Sequence, residues 1–140
     1  MTEAFGFAAF AVNEELQSFT FERREARTGD VVIDILYCGV CHTDLHIARN
    51  HGGYTTYPVV PGHEIIGRVR QVGAEVSRFA PGDMVGVGCM VDSCQHCQPC
   101  LKGWEQDCVE RPTFTYASTD RHDGTPTFGG YSDMIVVSEK

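Results

Sequence analysis

Apolar residues in this chain come in short runs that glycine and proline interrupt before any reaches the length of a long helix. Val31-Val32-Ile33-Asp34-Ile35-Leu36-Tyr37 is β-branched and aromatic, and the turn pair Gly29-Asp30 introduces it, so it predicts a strand. Ile65–Val72, Met84–Val87 and residues 134–137 have the same character. Phe19 and Phe21 alternate with Thr20 and Glu22, the pattern of a half-buried strand, and residues 4–12 form a further candidate. The helix signal falls on residues 43–50, where Leu45 and Ala48 lie three apart on one face. No repeat or low-complexity stretch appears. Many short strands with turn signals between them predict a mainly β domain, an antiparallel barrel or sandwich with little helix.

Composition narrows the function classes. At 140 residues and 42% hydrophobic content the chain is one domain with enough apolar material for a core. Eleven basic against nineteen acidic residues give a formal charge of −8, which repels a polyanion, so a nucleic-acid partner is not expected. No apolar run approaches the roughly 18 residues of a membrane span, so no membrane partner is expected. The first ten residues lack the basic cluster of a secretory signal, and the expected location is cytoplasmic.

Seven cysteines alter this picture. In a reducing compartment, clustered thiols point to metal binding or catalysis rather than to disulfides. Cys94, Cys97 and Cys100 are spaced by two residues each, and Cys108 follows after seven more. Tight turns let the near thiolates converge on one ion, and the longer spacer lets the chain close a tetrahedron, the arrangement of a structural zinc site. Iron–sulfur proteins use a similar cadence, but with three residues before the last Cys and a Pro after it, which this loop lacks. The lobe from about 89 to 109 carries few sizeable apolar residues, so the ion is expected to order it.

A second group is Cys41, His63 and Glu64. The histidine opens a predicted strand after Pro61-Gly62, and Cys41 follows another strand. Ligands on two strand ends suit a catalytic zinc that keeps one position open. A His-Glu pair is also a common surface or core pair, and the residues alone leave both readings open. The HExxH pattern is absent. Cys38-Gly39-Val40-Cys41-His42 also matches the c-type haem and thioredoxin-like spellings, but the first needs export and the second a long helix that is not predicted here.

Gly62-His63-Glu64, followed by Gly67, Gly73 and Val76, resembles the signature of the zinc-containing medium-chain alcohol dehydrogenases. Cys38-Gly39-Val40-Cys41-His42-Thr43-Asp44-Leu45-His46, Tyr57-Pro58-Val59-Val60-Pro61-Gly62-His63-Glu64, Val85-Gly86-Val87-Gly88-Cys89 and Phe128-Gly129-Gly130-Tyr131-Ser132 resemble the cinnamyl-alcohol-dehydrogenase-like branch. The resemblance implies a GroES-like partly open β-barrel with short helices and a zinc-bound loop lobe. It implies Cys41 and His63 as ligands of a catalytic zinc, with Glu64 as the acidic neighbour that can join them. Thr43 matches the hydroxyl that hydrogen-bonds the alcohol oxygen, His46 the next station of a proton relay, and His42 a position near the cofactor pyrophosphate. Cys94, Cys97, Cys100 and Cys108 match the structural zinc ligands. The implied activity is hydride exchange between a small-molecule alcohol or aldehyde and NAD(P)(H), leaning to NADP(H), in a full-length enzyme that is a homodimer.

Three departures qualify the resemblance. The family's third catalytic ligand, a distal cysteine, has no counterpart before Lys140, no Gly-x-Gly-x-x-Gly fingerprint occurs, and Gly52 stands where many of this branch have tryptophan. The first two lead to the expectation of a catalytic domain cut from a longer enzyme, with a stand-alone zinc-binding module or relic as the alternative. The 140 residues by themselves are expected to bind zinc, with Glu64 as third protein ligand, without turning over an alcohol.

Overall fold

The computed structural model describes residues 1–140. In chain order the elements are β1 (Thr2–Ala8), β2 (Gln17–Arg23), β3 (Asp30–Cys38), α1 (His42–Ala48), β4 (Ile65–Val72), β5 (Met84–Val87), β6 (Met90–Asp92), α2 (Gln98–Leu101), a 3-10 turn (Glu105–Asp107), β7 (Thr113–Phe114) and β8 (Met134–Ser138). They form a four-stranded sheet in the order β5-β4-β3-β8 and two two-stranded sheets, β1-β2 and β6-β7. Every pairing is antiparallel. No helix is long and apolar enough to cross a membrane.

The run in β3 is apolar without alternation because both of its faces are covered. Val31 and Ile33 point into a core with Ile65, Val69, Val87, Ile135 and Val137. Val32, on the opposite face, packs with Ala4, Ala8, Phe21, Val60 and Met134. β1 and β2 therefore lie over one face of the large sheet, and the sheet closes on itself only in part. Closure comes from bridges at Gly6–Ser132 and Ala9–Val59, with Phe7 N donating to Tyr131 O at 2.8 Å and Ala9 N to Val59 O at 2.9 Å. This is the mainly β, partly open architecture expected.

Two boundaries differ from the sequence reading. β1 starts at Thr2 and stops at Ala8 rather than running over residues 4–12, because Phe10 and Val12 face solvent and Asn13 turns the chain with φ 65°. The helix begins one residue earlier and ends at Ala48, two residues short of the expected end. β6, β7 and α2 were not foreseen. They are two to four residues long, too short for a periodic signal.

Arg23 holds the segment that carries Tyr131. Only 7% exposed, its guanidinium donates to the carbonyls of Met134 (3.1 Å), Gly129 (3.0 Å) and Phe128, and to Ser132 Oγ (2.9 Å). Arg23→Met removes every one of these donors and leaves buried acceptors unpaired. A loss of about 2–3 kcal/mol is expected in urea unfolding, and an unchanged midpoint would contradict the assignment.

Candidate metal centres and the adjoining cleft

The lobe between β6 and β7 gathers Cys94, Cys97, Cys100 and Cys108, whose sulfurs all lie within 4.8 Å of one another. A turn with Gln95 at φ 62° folds Cys94 back towards Cys97, α2 carries Cys100, and the 3-10 turn delivers Cys108. The Sγ atoms of Cys94 and Cys100 are 3.8 Å apart and those of Cys97 and Cys100 3.3 Å. Zinc–sulfur bonds of about 2.3 Å need tetrahedral edges of about 3.8 Å, so the four thiols fit zinc. The Cys97 amide donates to Cys94 Sγ at 3.3 Å, and Ser93 Oγ lies 3.3 Å from Cys100 Sγ. Such contacts orient and stabilise thiolates. His96 is outside the four-thiol set but close to it, its Nδ1 on Cys94 O at 2.7 Å, its Nε2 on Glu110 at 2.7 Å and a ring nitrogen within 4.8 Å of Cys94 Sγ.

The second group is equally close. Cys41 Sγ, a His63 ring nitrogen and a Glu64 carboxylate oxygen all lie within 4.8 Å of one another. Thiolate, imidazole and carboxylate are a donor set that suits zinc. Cys41 is the N-cap of α1, and His63 sits at the entrance of β4. Gly62 has φ +104°, and a Cβ there would come within 2.8 Å of Cys38 Sγ and of the Tyr131 ring, so only glycine lets the chain turn into His63 at this point. Glu64 is exposed and lies over Gly39, whose amide donates to the Glu64 carbonyl at 2.8 Å. Cys38 is not in the group. Burial pushes its thiol up, against a backbone hydrogen bond at Glu64 that pulls the other way.

Asp44, absent from the sequence-based candidates, joins these pieces. It is 3% exposed, and its carboxylate accepts four hydrogen bonds. They come from the Cys41 amide (2.8 Å), the Gly62 amide (3.0 Å), the Tyr116 hydroxyl (2.6 Å) and the Tyr131 hydroxyl (3.0 Å). One buried side chain thus holds the backbone beside both Cys41 and His63. Burial first, then the hydrogen bond to Asp44, push both phenols well above their ordinary value, so each stays a donor.

Beside His63 opens a cleft of about 1070 Å³, lined by Thr43, Ile47, Tyr54 and Cys89 on the near side and by residues 110–119 opposite. Thr43 Oγ1 lies 3.6 Å from Cys41 Sγ. His46 shares the exposed side of α1 but makes no hydrogen bond to Thr43. Its Nδ1 instead meets Nδ1 of His51 at 2.8 Å, and its ring lies 4.6 Å from that of His42 with the planes inclined by 55°. Thr43 and His46 share no direct hydrogen bond, so a proton passing between them would cross an intervening hydroxyl or water. His51 was missed because no helical spacing links it to Thr43. At Gly52 a Cβ would collide with the Tyr54 ring, so the room a larger residue would need there is taken by an aromatic two positions on.

The chain is similar to known proteins over nearly its whole length. The chain is 53% identical over 138 residues to a probable mannitol dehydrogenase of Medicago sativa, covering 99% of this chain and 38% of that protein. A probable cinnamyl alcohol dehydrogenase of Oryza sativa subsp. japonica is 51% identical, with 99% of this chain and 37% of that one covered. Among solved structures, a cinnamyl alcohol dehydrogenase from Sorghum bicolor superposes with a TM-score of 0.94 at 45% identity, covering 99% of this chain and 39% of that one. The CAD of Helicobacter pylori complexed with NADP(H) gives 0.92 at 45%, with 98% and 40% covered. The chain thus spans about 38% of the length of its curated relatives. The alcohol dehydrogenase GroES-like domain matches residues 27–140, and the chain belongs to that family.

Proposed function

We propose that these residues form the metal-holding half of a zinc-dependent alcohol dehydrogenase or aldehyde reductase, working with NADP(H). The observation that carries this reading is the convergence of Cys41, His63 and Glu64 at the edge of an open cleft that also presents Thr43. A module that only stored zinc would need the four-thiolate lobe and no second ligand set beside a substrate-sized cleft. The likeness to NADP-dependent alcohol dehydrogenase C of Mycobacterium bovis and to the Helicobacter pylori enzyme with NADP(H) supports the cofactor.

Cys41, His63 and Glu64 would hold the catalytic zinc, and Cys94, Cys97, Cys100 and Cys108 the structural one. A zinc ion at the first site supplies Lewis acidity that lowers the pKa of an alcohol or polarises a carbonyl, and a nicotinamide exchanges the hydride. Thr43, beside Cys41, hydrogen-bonds the substrate oxygen and, in accepting its proton, releases its own hydroxyl proton to an intervening water. His46, whose Nδ1 lies 2.8 Å from Nδ1 of His51 at the surface, receives that proton from the water and passes it to solvent. His42, exposed at the start of α1, faces the cofactor. All eight strands pair antiparallel, so these residues form no parallel βαβ dinucleotide fold of their own.

Cobalt substitution tests the open position. Benzyl alcohol added to the cobalt-loaded chain is expected to shift the visible bands of the Cys41/His63/Glu64 ion and leave the tetrathiolate bands in place. Thr43→Ala should raise the half-saturating alcohol concentration about tenfold, the worth of one hydrogen bond to a charged or polarised group. Visible bands indifferent to alcohol would refute a substrate site.

A further inference from the structure

The proposed zinc ligands come from two loops joined directly by the Gly39 amide and the Glu64 carbonyl, and the Tyr116 side chain contacts both arms of that scaffold. Tyr116 is 5% exposed although it lies just after β7, in a part of the chain distant in sequence from both ligands. Its ring lies against the His63 imidazole, centroids 5.5 Å apart and planes inclined by 34°. Its hydroxyl donates to Asp44 Oδ1 at 2.6 Å, and the same oxygen accepts from the Gly62 amide at 3.0 Å. Around the ring, Ala9, Ile47 and Val59 complete a small core that seats α1.

We infer that Tyr116 is a positioning residue for the metal site: its ring fixes the His63 imidazole, and its hydroxyl ties the His63 loop to the Cys41 turn through Asp44. This rests on the reading of Cys41, His63 and Glu64 as metal ligands. An imidazole binds metal well only when its plane and its free nitrogen are already aimed, and an orienting partner is usually a hydrogen-bonded carboxylate or carbonyl. His63 has no hydrogen-bonded side-chain partner here. The tilted ring contact with Tyr116 restricts rotation of the imidazole instead, and a phenol serves this better than a phenylalanine because its oxygen is itself anchored. Asp44 gains as well, since a buried carboxylate must be fully hydrogen-bonded to remain in place.

The separate tetrathiolate lobe makes the test internally controlled. The chain is titrated with cobalt(II) while the tetrathiolate and the Cys41/His63/Glu64 bands are followed separately. Tyr116→Phe, which keeps the ring, should weaken cobalt at the second site about tenfold. Tyr116→Leu, which removes it, should weaken it further towards a hundredfold, the range typical of lost orienting contacts. The tetrathiolate bands should not change and serve as the folding control. Metal-free Tyr116→Leu should also shift the His63 ring protons in NMR, because the aromatic face above them is gone. A parent chain that takes cobalt only at the four cysteines would remove the metal site and the inference together. A parent that fills both sites, with Tyr116→Phe and Tyr116→Leu binding cobalt as tightly as it does, would leave the site standing and overturn the role of Tyr116.

Discussion

Cys100→Ser is expected to cost the chain one equivalent of zinc and to open the lobe from 89 to 109 to proteolysis. Cys100 is buried on α2, with Cys97 Sγ at 3.3 Å and Cys94 Sγ at 3.8 Å, and Ser93 Oγ rests against it. Nothing else in the lobe can substitute for the ion. Leu101, Trp104 and Val109 are 66%, 53% and 72% exposed, so the segment has almost no core of its own. Apparent binding energies of about 10–16 kcal/mol in small structural zinc sites show how much of the order such an ion can supply. The expected digest is rapid cleavage within the lobe, with the large sheet β5-β4-β3-β8 resistant. Equal resistance of Cys100→Ser and parent in this loop would mean that the ion does not order it.

Asp44→Ala should be the most destabilising single change around the second site. It leaves the Tyr116 hydroxyl and the Gly62 amide buried without their acceptor, and it frees the Cys41 turn and Tyr131. Each buried donor left unsatisfied costs about 1–3 kcal/mol, and the network together about 3–5 kcal/mol. Thermal unfolding should fall by roughly 10 °C or more. Asp44→Asn keeps the volume but brings an amide NH₂ towards donors, so it should recover only part of the loss. A melting temperature within 2–3 °C of the parent for Asp44→Ala, roughly the shift that 1 kcal/mol or less produces, would show that these hydrogen bonds do not hold the site.

The two ligand sets differ in how they could be seen in the chain. The four thiols are close in sequence, and spacing alone groups them. Cys41 and His63 are far apart, and only the motif around His63 brought them to notice; the pairing of β3 with β4, which sets Cys38 against Ile65, is what draws them together. The continuous apolar run in β3 was legible as a strand because covering both faces removes the polar alternation. Asp44 and Tyr116 were not legible. Their partners lie up to 87 residues away, and a buried aspartate looks in sequence like any first-turn helix residue. One local sign existed: Asp44 stands three residues after Cys41, the spacing at which a side chain reaches back to the N-cap amide. The proposed relay from Thr43 to His46 is less direct than a shared helix face suggests. Helical spacing brings Thr43 and His46 to one side, but rotamer choice turns His46 to His51.

Zinc analysis of the purified chain and of His63→Ala decides whether this domain carries two distinct metal centres, the second built from Cys41, His63 and Glu64. Two zinc ions per chain are expected for the parent and one for His63→Ala, the remaining ion tetrathiolate by X-ray absorption. A parent that holds a single zinc, or a His63→Ala chain that still holds two, would contradict that arrangement.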